Sequence, residues 1–269
     1  MAGDPPIKVV VVGALGRMGK EVVAAVCADP TLDMAGAVDR KAVEDYLSLP
    51  GGQGLIPIHK DLEPMLARVK PRVVVDFTHP ESVMENVRTA LRNRVVPVVG
   101  TTGITQQHVH EIEALCQEHD TGAFVAPNFA VGANLMIHFA RIAAKFFPAA
   151  EIIELHHDGK ADAPSGTALT TAQEMVKARG KPFERASTTK FTLQEVRGGE
   201  TGGVTIHSVR LPGLVAHQEV LFGGQGQTLL IRHDSISRDS FMPGVLMAIK
   251  EATKIKGLVY GLDRLMGLQ

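Results

Sequence analysis

Three things that the 269-residue sequence lacks bound its class. It has no charge excess: 28 Lys and Arg stand against 29 Asp and Glu, a formal net charge of -1. That leaves no basic surplus for nucleic acid and no acidic surplus for a cationic partner, so a small molecule is the expected partner. It has little cysteine, only Cys27 and Cys116. Both lie in helical-looking stretches among Ala, Val or Leu, which reads as buried thiols in a reducing compartment and not as a disulfide framework. It also lacks a long hydrophobic run: Met1 to Pro6 carry no basic residue, and the run Val9–Val12 stops at Gly13, too short for a signal or membrane span. From these absences a cytoplasmic protein is expected. No repeat or low-complexity tract interrupts it, and 45% apolar residues suffice for two packed domains.

Strand and helix signals alternate through the first half. Ile7–Val12 is an apolar β-branched run and Gly16–Ala28 a helix with Met18, Val22, Val23 and Val26 on one face. Met34–Val38, Val73–Asp76, Val95–Val99 and Ala123–Ala126 read as further strands, with helices at Glu81–Arg92 and Gln106–Glu118, a short one at Lys41–Leu47, and a loop at Pro50–Gly54. This is the pattern of a Rossmann-like, doubly wound parallel sheet. Beyond Asn128 the rhythm changes: helices at Ala133–Phe147 and Gly166–Arg179 flank a strand at Glu151–His156, and extended runs at Val204–Arg210, His217–Phe222 and Thr228–His233 follow, joined by turns. That predicts an α+β domain with a mostly antiparallel open sheet. Ser240–Lys256 returns to helical period, with Pro243 in its first turn. The expected boundaries are residues 1–128 for a dinucleotide-binding domain, 129–239 for a substrate-binding and oligomerisation domain, and 240–269 for a helix and tail returning to the first.

Gly13-Ala14-Leu15-Gly16-Arg17-Met18-Gly19 lies between a strand and a helix, where glycines allow a tight turn and let amides approach a pyrophosphate. The spacing is G-x-x-G-x-x-G. Asp39, about twenty residues on at the next strand end, can accept hydrogen bonds from an adenosine ribose. Arg40 and Lys41 could hold a 2′-phosphate or serve only as solvated charges, so NADH and NADPH both stay open. Gly100-Thr101-Thr102-Gly103 and Ala126-Pro127-Asn128-Phe129 fall at strand ends that face ligands in such sheets, and Asn128 could bond a carboxamide.

The densest chemistry is Glu154-Leu155-His156-His157-Asp158-Gly159-Lys160-Ala161-Asp162-Ala163-Pro164-Ser165-Gly166-Thr167-Ala168. Ser165 is a natural N-cap, and the amides of Gly166 and Thr167 at a positive helix end suit a carboxylate. Lys160 adds a charge, and His156 and His157 can exchange protons near neutral pH. Adjacent histidines on an extended segment point to opposite faces, so no metal is expected between them. Arg197–Gly203 reads as a mobile loop, and His108 and His110 as solvated.

Val11–Gly19 (VVGALGRMG), Asp76–Thr78 (DFT), Gly100–Gly103 (GTTG), Ala126–Gly132 (APNFAVG) and Glu154–Ala168 (ELHHDGKADAPSGTA) together resemble the 4-hydroxy-tetrahydrodipicolinate reductase family, also called dihydrodipicolinate reductases, of the diaminopimelate route to lysine. The resemblance implies that His156 donates or accepts the proton, that Lys160 is a second acid, and that His157, Gly166 and Thr167 bind the carboxylates of a small cyclic dicarboxylate. It places NADH or NADPH against Gly13, Ala14, Leu15, Gly16, Arg17, Met18, Asp39, Gly100, Thr101, Thr102, Ala126, Pro127, Asn128 and Phe129, with Arg40 available to a 2′-phosphate. It also implies a homotetramer built through the sheets of the second domain. One departure is Ala216-His217-Gln218-Glu219, where many members place Gly-Glu-His, and no role passes to His217. A non-catalytic nicotinamide sensor would have no use for the His156, His157 and Lys160 cluster. A reductase of an aspartate-semialdehyde type would need a cysteine that neither Cys27 nor Cys116 supplies.

Overall fold

The structure, a computed structural model, describes residues 5–193 and 196–268. The chain divides into two compact units, one running to Phe129 and resuming at Phe241, the other Ala130–Ser240.

The first unit begins β1 (Ile7–Val12), α1 (Arg17–Ala28), β2 (Leu32–Val38), β3 (Tyr46–Ser48), β4 (Leu55–His59), α2 (Leu62–Val69), β5 (Val73–Asp76), α3 (Pro80–Arg92), β6 (Val96–Val99), α4 (Gln106–Glu118) and β7 (Gly122–Val125). The second contains α5 (Val131–Ala143), β8 (Ala149–His156), α6 (Gly166–Arg179), β9 (Gly199–Thr201), β10 (Val204–Arg210), β11 (Ala216–Gly224) and β12 (Gln227–Ser235). The chain then returns to the first unit with α7 (Met242–Ala252), β13 (Gly257–Tyr260) and α8 (Leu262–Leu265).

The first unit's sheet runs in the order β13-β7-β6-β5-β1-β2-β4-β3. Every pairing is parallel except β3 with β4. Both faces are covered, which is why Val9–Val12 of β1 and Val73–Val75 of β5 read as unbroken valine runs and not as alternating ones. Val10, Val12 and Val74 pack with Leu62, Met65 and Leu66 of α2 on one side, and α3 and α4 continue that layer through Val87, Leu91 and Ile112. Helix α7 lies against β5, β6 and β7 and beside α1. The chain order reverses beside β1, whose neighbours are β2 and β5, so the carboxyl ends of β1, β5 and β6 open a crevice of the kind that ligands use in such sheets.

The helix expected at Lys41–Leu47 is absent; Tyr46–Ser48 is instead a short strand on Leu55–His59, across a turn at Pro50–Gly52. Strand pairing outweighs the weak local helical signal there, as tertiary context usually does. Strand β13, which the sequence reading left unassigned, pairs with β7.

In the second unit the order is β12-β11-β8-β10-β9, with only β8 and β10 parallel. Helices α5 and α6 cover one face, where Ile152, Met175, Val220 and Phe222 are buried. Helix α5 ends before the expected Phe147, the residue that Pro148 steers out of helical conformation. Part of the expected mobile loop, Gly199–Thr201, pairs with β10. His108 is not merely solvated: its Nδ1 accepts the Thr105 amide in a capping box at the start of α4.

Candidate active site

In the first unit, Gly13 sits at φ +81°, a conformation costly for any side chain, and a Cβ there would meet the Phe77 carbonyl oxygen at 2.7 Å. A Cβ on Gly19 would fall 2.0 Å from the Gly13 carbonyl oxygen, so the third glycine is demanded by the packing of turn on helix. Gly16 caps α1 with no side-chain bond, and the first turn carries no acid. The helix start is therefore electropositive and uncontested, which fits a pyrophosphate. Asp39, at the end of β2, accepts the Leu15 amide on Oδ2 and the Lys41 amide on Oδ1, both at 2.9 Å. The carboxylate is thus aimed at the glycine turn before any ribose arrives. Ala14 is buried, Leu15 and Met18 are half-buried, and Arg17, Arg40 and Lys41 are exposed.

The ends of β5 and β6 are joined by Asp76, which is almost fully buried. Its Oδ1 accepts the Thr78 amide at 3.0 Å and the hydroxyls of Thr78 and Thr101 at 2.7 Å each; its Oδ2 accepts from Asn86 at 2.7 Å. Burial pushes this carboxyl above its ordinary value, against those four donors. The Thr101 side chain is thereby committed inward, and Thr102 is exposed. Phe77 packs so close to Gly100 that a Cβ there would lie 2.2 Å from its ring. Past β7, Ala126 and Phe129 are buried, with the Phe129 ring 5.7 Å from Phe77 and 5.8 Å from Phe124. Phe129 is a core side chain, so only its backbone is open to a ligand. Pro127 is exposed and Asn128 half-buried.

In the second unit, His156 ends β8 and its Nδ1 lies 2.5 Å from Glu154 Oε2. Residues two apart on a strand share a face, so both project toward the helix side of the sheet. Glu154 is completely buried and forms a two-pronged pair with Arg210 of β10, Nη1 to Oε2 at 3.0 Å and Nη2 to Oε1 at 2.9 Å. Oε1 also accepts the Ser165 amide at 3.2 Å. Burial raises the Glu154 carboxyl, but bonds from Arg210, Ser208 and His156 outweigh it and hold the group below its ordinary value. Burial lowers His156; the bond to Glu154 opposes this, and the charges of Lys160 and Arg210 add to it.

The loop after β8 turns through a bond from the Lys160 amide to the His157 carbonyl. Lys160 Nζ pairs with Asp162 Oδ1 at 2.7 Å, and Arg210 Nη2 holds the Asp162 carbonyl at 2.6 Å. Ser165 caps α6 as expected, its Oγ accepting the Ala168 amide at 3.2 Å. No acid lies in the first turn, and a Cβ on Gly166 would meet nothing within 4 Å. This start of α6 leaves room for an anion to approach the amides of Gly166 and Thr167. His157 is exposed at the mouth of the loop.

One strand end, one loop and one helix start carry His156, His157, Lys160, Gly166 and Thr167; the Lys160 charge acts on His156, and Glu154 ties His156 to the Ser165 cap. No role is expected from the sequence for Asp76, Glu154 or Arg210. Glu154 had a usable signal, its two-residue spacing from His156 on a strand; Arg210, 54 positions beyond His156, becomes visible only through the β8–β10 register.

Two family models match the chain: "Dihydrodipicolinate reductase, N-terminus" over residues 7–129 and "Dihydrodipicolinate reductase, C-terminus" over residues 132–266. A curated 4-hydroxy-tetrahydrodipicolinate reductase of Dehalococcoides mccartyi is 51% identical over 263 residues, covering 98% of this chain and 99% of its own. One of Moorella thermoacetica is 49% identical, covering 97% and 98%. A solved dihydrodipicolinate reductase of Paenisporosarcina sp. TG-14 with dipicolinate bound superposes with a TM-score of 0.86 at 44% identity, covering 96% of this chain and 99% of its own.

Proposed function

The chain belongs to the dihydrodipicolinate reductase family, and from that membership we propose that it reduces 4-hydroxy-tetrahydrodipicolinate to tetrahydrodipicolinate, with loss of water, in the diaminopimelate route to lysine. The reaction consumes NADH or NADPH and one proton. What carries the reading within the chain is the loop from His156 to Thr167, which joins a proton-exchanging ring, an ammonium group and an acid-free helix start.

A bound nicotinamide supplies hydride; the residues supply everything else. Gly13 to Met18 seat the pyrophosphate, Asp39 meets the adenosine ribose, and the backbones of Gly100 to Thr102 and Ala126 to Phe129 line the nicotinamide end. The Gly166 and Thr167 amides, with His157 and Lys160, bind the two substrate carboxylates. Reduction of a conjugated cyclic imine builds electron density on the ring, and His156, with Lys160 as second acid, delivers the proton that quenches it. Asp39 favours the unphosphorylated ribose, while exposed Arg40 and Lys41 can meet a 2′-phosphate, so both cofactors serve. The enzyme works in the cytoplasm; among the described residues no helix is long and apolar enough to cross a membrane.

The test is direct. Purified protein given the product of pyruvate and aspartate-semialdehyde condensation, made in situ, oxidises both NADH and NADPH at 340 nm. No oxidation of either would sink the reading, and the ratio of their apparent affinities measures what Asp39, Arg40 and Lys41 contribute.

We also infer a homotetramer assembled through the second unit's sheet. On the face opposite α5 and α6, Ile153, Leu155, Val209 and Leu221 remain partly exposed and Leu230 is 54% exposed. Leu155 pairs with Val209 and Leu221 with Leu230, so this face carries an apolar strip interrupted by Glu151, His207 and Glu219. Light scattering gives four copies for the parent chain, and Leu230→Glu, which adds charge at an already exposed position, lowers the mass without unfolding the chain. An unchanged mass would remove this strip from the interface.

A further inference from the structure

Glu154 carries more hydrogen bonds than an ion pair joining two strands requires. It accepts from Arg210 on both oxygens and from the Ser165 amide, and still turns Oε2 onto His156 Nδ1. With no exposed surface, it has no water to share those lone pairs with. An ionised carboxylate only accepts hydrogen bonds, and the Arg210 guanidinium keeps it ionised, so the ring nitrogen facing it must be the donor. We propose that Glu154 is a positioning residue for His156: it fixes the neutral ring as the Nδ1–H tautomer, leaves Nε2 as the nitrogen that exchanges the proton with substrate, and stabilises the imidazolium that forms.

The same carboxylate reaches the other half of the site. Its Oε1 holds the Ser165 amide one residue before Gly166, so a single buried side chain sets both the plane of the proton-exchanging ring and the start of the carboxylate-binding helix. Arg210 extends this frame to the lysine loop by holding the Asp162 carbonyl, while Asp162 Oδ1 holds Lys160. The charged groups acting on His156 are Glu154 on its own strand, Arg210 from β10 and Lys160 from the loop, with Asp162 paired to Lys160. Of these, Glu154 alone bonds the ring. A carboxylate so placed favours the protonated ring, and its removal disfavours it.

This inference deepens the reductase reading, and its first test does not depend on that reading. In the uniformly 15N-labelled full chain, with His156 assigned by its loss in His156→Gln, the neutral ring shows a protonated Nδ1 and a pyridine-like Nε2. A predominant Nε2–H tautomer would overturn the proposal even if the enzyme is active. Glu154→Gln, titrated in the same way, lowers the His156 midpoint by about one pH unit or more, because an amide cannot replace the lost charge. If this variant does not fold, the parent tautomer still decides. Kinetically, Glu154→Gln lowers kcat by about 100-fold or more, as loss of an orienting carboxylate does elsewhere, leaves the cofactor KM within about twofold, and moves the His156 limb of the pH profile to lower pH. A uniform loss at every pH with an unmoved midpoint would reduce Glu154 to a strand tie. Absence of any reductase activity would overturn the substrate reading and leave the tautomer result standing.

Discussion

His156→Gln lowers turnover by about two to four orders of magnitude and leaves cofactor affinity within about twofold. Glutamine keeps the polarity and approximate size of the ring but offers no group that gains and loses a proton near neutral pH. The cofactor-lining candidates Gly13 to Met18 and Asp39 lie in the other compact unit, so the change does not touch their bonds. Burial, the largest influence on His156, holds the ring below its ordinary value, which favours the neutral form in the unliganded chain. On the proposed function, a dianionic substrate bound beside it adds negative charge, which favours the protonated ring. Steady-state rates and a fluorescence titration with NADH separate the two effects. Turnover unchanged within threefold would move the acid role to Lys160.

The second large effect is on stability. Arg210→Ala destabilises the second unit by about 3–5 kcal/mol, because it leaves the fully buried Glu154 carboxylate without its countercharge. The exposed Arg92–Glu85 pair provides the contrast: its loss costs about 1 kcal/mol or less. The pH dependence has a definite sign. The folded Glu154 carboxyl lies below its ordinary value, so its stabilisation is complete above the unfolded carboxylate value, about 4.3, and is lost as pH falls through the lower folded one. The gap between parent and variant is therefore widest near neutrality and narrows below about pH 4. Urea unfolding at pH 7 and pH 3.5 measures it; equal midpoints for parent and variant at pH 7 would show that Glu154 does not need Arg210.

The sequence made the frame legible where one physical demand dominated. The doubly buried strands β1 and β5 show as valine runs, α4 and α6 have the expected bounds, α6 beginning after its expected Ser165 cap, and the second sheet declared itself by turn spacing. Legibility failed where pairing decided the outcome. Tyr46–Ser48 is a strand only because Leu55–His59 lies beside it, and Gly257–Tyr260 only because β7 offers a free edge. The site divides in the same way. His156, Lys160 and Gly166 are close in sequence and could be grouped by inspection. Arg210 meets Glu154 through the β8–β10 register, and Asp76 acts through Thr101, which follows the neighbouring strand β6, and Asn86 on helix α3. The side chains of Thr101 and Phe129 proved to face their own unit's interior, which a motif cannot reveal.

The return of α7 and β13 to the first sheet also sets an order of events on the ribosome. Residues to Phe129 emerge with β7 as an open edge and with β5, β6 and α1 lacking the helix that packs on them. About 110 further residues must be translated before that helix exists, which at roughly 5–20 residues per second is on the order of 6–20 s. For that interval the nascent chain displays an unpaired strand and bare valine surface. The second unit, which is continuous in the chain, can complete its own sheet before the first is closed.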